Sequence, residues 1–296
     1  MRDWRPRHGA LYLGQGTTRF RVWAPGHDVE LHLLTPTDRY IPMKPDGCGY
    51  HEEAVAGTSP GDLYRYRLDG GEEWPDPASR SQPEGPHGPS QIVDPEFAWT
   101  DEAWAGVPLE RYVVYEAHVG AFTGEGTFRA MIPELPYLRE LGITVLELMP
   151  VAQFPGERNW GYDGVFPYAA QTSYGGIDSL RSLVDACHAH GLAVCLDVVH
   201  NHLGPEGNYF SNFGPYFTDR YRTPWGAAIN YDGPESDEVR AFFIENALYW
   251  TLDCHIDALR LDAVHAIADN SPVRYLEDLA ATVHRRTAHL SRPTYV

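Results

Sequence analysis

Residues 192–202 read LAVCLDVVHNH and residues 256–265 read IDALRLDAVH. Each is an apolar run that ends in polar, chemistry-bearing side chains. Near-continuous apolar strands are buried on both faces, as the strands of a parallel sheet are. The neighbouring stretches keep the same rhythm. Helical spacing over 177–190 is closed by Gly191, a helix stop signal. Upstream, 113–119 and 143–148 read as strands, with a helix expected over 128–141. Downstream, 236–252 reads as a helix with acid in its first turn, as the helix dipole prefers. A strand over 256–262 and a helix over 272–290 follow, and 294–296 begins one more strand. Strands alternating with helices imply a parallel sheet. Long loops after the strand ends favour a (β/α)8 barrel with its site on the C-terminal face. No GxGxxG follows the first strand, which argues against dinucleotide binding.

The first hundred residues differ. RFRVW at 19–23 and VELHL at 29–33 alternate, and 63–68 does so with tyrosines and arginines interleaved. Short, turn-bounded, half-buried strands of this kind predict an antiparallel β-sandwich. Residues 70–109, rich in Pro, Gly, Ser and acid, read as a connection packed by Trp99 and Trp104. The expected organisation is therefore a β-sandwich over 1–100 and the first half of a barrel over 101–296: strands one to four and the start of a fifth. An open half-barrel would expose strand edges that further chain should cover.

Composition bounds the function. The 296 residues are 43% hydrophobic and 22% charged, with a net charge of −18 and Lys44 as the sole lysine. That balance excludes wholesale disorder and disfavours nucleic acid or an anionic membrane as partner. Eight Trp, 18 Tyr and 11 Phe accompany 28 Gly and 24 Pro. Such a profile suits shaped, aromatic-lined loops on which sugar faces stack. The four cysteines form no CxxC pair, and Cys195 sits in an apolar run, so a buried free thiol is expected. No apolar signal core and no run of 18 apolar residues occur, so a soluble cytoplasmic protein is expected.

Arg260 and Asp262 are two apart on a strand and face the same way. A carboxylate beside a guanidinium stays ionised, which suits a nucleophile attacking an anomeric carbon. The same pair in isolation would be a structural ion pair.

The constellation resembles the α-amylase family of retaining glycoside hydrolases. DVVHNH looks like its first conserved region and LRLDAVH like its second, while RFRVWAP resembles a leading starch-binding-like domain. ELMPVAQFPGERNWGYDG, GPEGNY and TPWGAAINYDGP narrow the likeness to malto-oligosyltrehalose trehalohydrolases. The resemblance runs from about residue 9 to the end. It implies hydrolysis, with retention, of the α-1,4 bond next to a terminal trehalose unit. Asp262 would be the nucleophile and Arg260 would hold it ionised. His202 and Asn201 would line the adjoining subsite, Tyr162 would stack on the attacked sugar, His265 would line the site, and Asp197 would be a positioning carboxylate. No cofactor and no metal are implied. The implied partners are malto-oligosyltrehalose or another α-1,4-glucan as substrate and a malto-oligosyltrehalose synthase upstream.

The family's acid/base Glu stands at the end of the fifth strand, where this sequence stops, and its later Asp also falls beyond. The expectation is a chain inactive alone. Glu116, Glu147 and Glu206 have no supporting motif, and His118 is expected to pack rather than bind. Trp160 and Trp225 read equally as sugar platforms or loop anchors. Three competing readings remain. His200-x-His202 is similar to a metal pair of amidohydrolase barrels. A glycogen branching enzyme shares the MPV and WGY segments. A non-catalytic glucan-binding module is the third.

Overall fold

The computed structural model describes residues 4–296. Strands β1 (Gly9–Gly14), β2 (Thr17–Trp23), β3 (Val29–Leu33), β4 (Arg39–Pro42), β5 (Lys44–Pro45), β6 (Tyr50–Ala56), β7 (Leu63–Leu68), β8 (Glu73–Trp74) and β9 (Ser90–Gln91) fill its first third. They form two antiparallel sheets, ordered β1-β2-β6-β5 and β4-β3-β7-β8, with β9 also on β7. Alternation decides what is buried. Phe20 and Val22 of β2, and Tyr64 and Tyr66 of β7, are fully buried. Phe20 meets Tyr64 edge-to-face at 5.0 Å between ring centroids, joining the two sheets.

The remainder is built around parallel strands. β10 (Val114–Ala117), α1 (Val119–Phe122), α2 (Phe128–Met131), α3 (Leu135–Glu140) and β11 (Val145–Leu148) come first. The hairpin β12 (Ala152–Gln153) and β13 (Phe166–Ala170) leads to α4 (Gly176–Ala189) and β14 (Ala193–Val198). A second hairpin, β15 (Phe217–Thr223) and β16 (Gly226–Ile229), precedes α5 (Ser236–Leu248), β17 (Ala258–Leu261) and α6 (Tyr275–Thr287). β10, β11, β14 and β17 pair in that order, all parallel. Tyr295 bridges Ala258 in the parallel sense, carrying the sheet one position further. The arrangement is a partial barrel. All six residues of β14 are buried, as a central strand covered on both faces requires.

Two expected helices are interrupted. The 128–141 stretch forms α2, a 3-10 turn (Ile132–Glu134) and α3. Pro133 and Pro136 lack the amide hydrogen that an unbroken helix needs, so the helix restarts. After α5 the chain widens into a π turn (Tyr249–Asp253). There Thr251 Oγ1 donates to the carbonyls of Ala247 and Leu248, competing with the backbone ladder. The 70–109 connection is pinned by its tryptophans. Trp99 stacks on His255 at 3.8 Å, and Trp104 stacks on His188 at 4.8 Å. No helix among the described residues is long and apolar enough to cross a membrane. The four cysteines are free thiols; Cys48 is exposed and the other three are buried.

Candidate active site

Parallel pairing sets Asp197 of β14 opposite Arg260 of β17. Register partners project to the same side, so the two side chains meet. Arg260 Nη1 donates to Asp197 Oδ2 at 2.7 Å and to Asp262 Oδ1 at 2.9 Å. One guanidinium thus bridges two carboxylates. Asp262 stands just beyond the end of β17, with its amide donating to the Val198 carbonyl at 3.0 Å. Ala263 next to it has φ of +41°, a left-handed turn that a side chain makes at some cost.

The second oxygen of Asp262 is also held. Asn201 Nδ2 donates to Asp262 Oδ2 at 3.0 Å and to its carbonyl oxygen at 2.9 Å. Asn201 Oδ1 in turn accepts from His202 Nδ1 at 2.6 Å. The His202 ring stacks against Trp225, which is half-exposed on the β15–β16 hairpin, with centroids 5.1 Å apart. Trp160 is more exposed still, at 75%.

Tyr162 arrives on the 156–164 loop. Asn159 shapes that loop, giving its Nδ2 to Asp163 and accepting the Gly161 amide, each at 2.8 Å. Gly161 has φ of +100°, and a Cβ there would overlap the Pro150 carbonyl, so only glycine fits. The loop delivers the Tyr162 hydroxyl to Asp197 Oδ2, to which it donates at 3.0 Å. His118 also serves this loop, donating from Nε2 to the Asn159 carbonyl at 2.7 Å.

The electrostatics divide these groups. Burial pushes the Asp197 carboxyl up to about 6, against the pull of Arg260 and Tyr162. Its Oδ1 is buried and has no hydrogen-bond partner. Burial opposes the charge on Arg260, yet the hydrogen bond and charge of Asp197, then the bond to Asp262, raise its pKa. Burial lowers the pKa of His202, against the charge of Asp262. Burial and then the Asp197 charge raise that of Tyr162.

Six of the seven residues singled out from the sequence therefore form one hydrogen-bonded cluster. His265 is the exception. It is exposed on the 3-10 turn Val264–Ala266, and its ring joins no hydrogen bond of the cluster. Glu116 and Glu147 face each other in register on β10 and β11. Burial, then the Glu116 charge, raises the pKa of Glu147. Glu206 lies on the surface, 3.4 Å from His87. His200 has both ring nitrogens engaged, one by Asn246 at 2.9 Å and one by Tyr275 at 2.8 Å. The His200-x-His202 pair thus does not offer two free nitrogens to a metal. Among the described residues no group of three or more His, Cys, Asp or Glu is placed to hold one. The Asn201 contacts with Asp262, and the placement of Asp197 under Arg260, join segments some 60 residues apart. The signal for them was the strand register, which a single strand's pattern does not contain.

Residues 91–225 match the family model of the α-amylase catalytic domain. A malto-oligosyltrehalose trehalohydrolase of Saccharolobus solfataricus is 52% identical over 275 residues, covering 92% of this chain and 48% of the relative. A Salmonella typhimurium crystal structure, described as a candidate α-amylase, superposes with a TM-score of 0.90 at 44% identity. That match covers 98% of this chain and 49% of the other. A pullulanase from Anoxybacillus sp. LM18-11, solved with maltotetraose, gives a TM-score of 0.78 at 25% identity, covering 95% and 47%. The chain spans about half the length of the curated relatives it matches.

Proposed function

The chain belongs to the malto-oligosyltrehalose trehalohydrolase family, within the α-amylase group of glycoside hydrolases, and from that premise we propose that it carries the nucleophile half of a retaining glycosidase that releases trehalose from malto-oligosyltrehalose. The observation that carries this reading is the Asp262 carboxylate, gripped on one oxygen by Arg260 and on the other by Asn201. A carboxylate held this way is oriented, as attack on an anomeric carbon requires.

In this reading Asp262 forms a bond to the anomeric carbon as the α-1,4 bond next to the trehalose end breaks. The departing oxygen takes a proton from a second carboxyl group, which retaining chemistry places about 5–5.5 Å from the nucleophile. Water then releases the glycosyl group from Asp262, giving up its proton to that same carboxyl. Asp197 is not the acid. It is buried, and its Oδ2 is already taken by Arg260 and Tyr162. Its role is to aim Arg260. His202 and Tyr162 border the sugar beside Asp262, and His265 lies at the rim. No cofactor takes part.

The two N-terminal sheets are read as a starch-binding-like β-sandwich over 1–100, with the catalytic barrel beginning after it. The substrate would come from a malto-oligosyltrehalose synthase. Free cysteines, three of them buried, suit the reducing cytoplasm.

The test is release of free trehalose from malto-oligosyltrehalose, by a polypeptide that carries this chain and spans the full length of its relatives. Trehalose as product is the expected result. New α-1,6 branches on amylose without any trehalose would transfer the reading to a branching enzyme.

A further inference from the structure

Behind the cluster lies a buried imidazole that the proposed chemistry does not use. His200 is 1% exposed and is enclosed by groups from several elements. Asn246 comes from α5, Tyr275 from the start of α6, and Tyr231 from the segment before α5. Tyr231 and Tyr275 stack on each other with centroids 3.9 Å apart, all but parallel at 17°.

The donors and acceptors around His200 leave one arrangement. Asn246 Nδ2 donates to the Pro167 carbonyl at 2.8 Å, which turns its Oδ1 toward His200 Nε2 at 2.9 Å. An amide oxygen only accepts, so Nε2 carries the hydrogen. Burial pushes the imidazole down to about 4, so the ring is neutral near pH 7. Nδ1 is then bare and accepts from the Tyr275 hydroxyl at 2.8 Å. The Tyr231 hydroxyl donates to the His200 carbonyl oxygen at 2.7 Å. That carbonyl belongs to the peptide linking His200 to Asn201, whose side chain grips Asp262.

We propose that His200 is a positioning residue, whose Nε2–H tautomer, clamped by Asn246, Tyr275 and Tyr231, sets the Asn201 amide against the Asp262 carboxylate. The inference rests on the reading of Asp262 as nucleophile. Productive geometry in such sites holds to within about 0.5 Å, which a side chain reaches only when its own support is locked. Asn201 sits after the end of β14, outside the sheet's ladder, so the ladder does not lock it. The His200 clamp does, from the helices that cover the sheet.

The experiment is NMR of the 15N-labelled chain. Long-range proton–nitrogen correlations at neutral pH should show His200 with a protonated Nε2 and an unprotonated Nδ1. The opposite tautomer, or an imidazolium, would overturn the proposal. A second readout follows hydrogen exchange of the Asn201 side-chain amide. The Asn230 amide, held by the Pro215 and Pro234 carbonyls, serves as control. In His200→Leu, Asn201 exchange should accelerate about tenfold or more while Asn230 stays unchanged. In His200→Gln, an N–H for Asn246 and an oxygen for Tyr275 remain, and most of the protection should return. A folded His200→Leu protein with unchanged Asn201 exchange would refute the role. If that variant fails to fold, Tyr275→Phe tests the same link. None of these readouts involves turnover. Failure to release trehalose would therefore leave them intact, and a wrong tautomer would leave trehalose release intact.

Discussion

β17 carries an acid at each end, and the two acids live in opposite surroundings. Asp257, just before the strand, accepts four hydrogen bonds. Oδ2 takes the Val194 amide and His188 Nε2, each at 2.9 Å. Oδ1 takes Trp104 Nε1 at 2.9 Å and Arg292 Nη1 at 3.4 Å. His188 gives its other nitrogen to Asp101 at 2.7 Å, and His255 joins Asp101 at 2.8 Å. Trp104 and Trp99 cap the two imidazoles. The His188 and Asp257 side chains are 0% and 1% exposed. At the other end, Arg260 and Asp262 are 45% and 16% exposed. Both clusters join carboxylates to cations, so charge alone does not mark a site. The difference is saturation. The closed cluster has spent its hydrogen bonds on the protein and anchors the 70–109 connection. The open one keeps polar atoms and an accessible face for a ligand.

The sharpest way to break this contrast is to remove each acid. Asp262→Asn in a full-length protein should lower turnover at least about a thousandfold, because the amide is not a nucleophile. Its melting temperature should barely change; near-normal turnover would refute the assignment. Asp257→Ala should do the reverse. It strands His188 and Arg292 without their buried partner, a change that typically destabilises by about 3–5 kcal/mol. Denaturant unfolding of the chain measures it, and a loss under about 1 kcal/mol would mean the closed cluster is no anchor.

A smaller effect is expected from pH. Burial disfavours the His188 imidazolium, but its hydrogen bonds to Asp101 and Asp257 prevail and raise its pKa. Its stabilisation is then complete below the unfolded value of about 6.5 and is lost as pH rises through the raised folded value. Burial likewise disfavours the Asp101 carboxylate, yet the bonds from His188 and then His255 hold it below the usual range. Its share is present above about 3.9 and is lost as pH falls through the depressed folded value. The contribution of this pair should therefore be complete between about pH 4 and 6.5 and decline on the alkaline side. In His188→Gln the alkaline decline should flatten. Superimposable pH profiles for the two proteins would show that His188 is not charged in the fold.

Much of this was legible in residue order. The alternating βα rhythm, the stop at Gly191 and the apolar β14 follow from local periodicity, since strands buried on both faces need continuous apolar runs. Arg260 and Asp262 share a face because strand period is two, a property of the backbone alone. The proline breaks in the 128–141 helix were also written locally, although the apolar spacing there reads as one helix. Other features were not readable. Residue order marks Asp262 by its neighbour Arg260, but nothing near Asp257 tells that it is closed off while Asp262 stays accessible. What separates them is which distant groups the fold brings up: Trp104 and His188 below, Asn201 and open solvent above. His200 looked like half of a metal pair until Asn246 and Tyr275 claimed both of its nitrogens. Residue order thus determined the strands, their faces and the side chains able to do chemistry, because these depend on neighbours in sequence. Tertiary structure alone decided which of those side chains are saturated and which stay free, because hydrogen-bond partners and solvent access are set by segments tens of residues away.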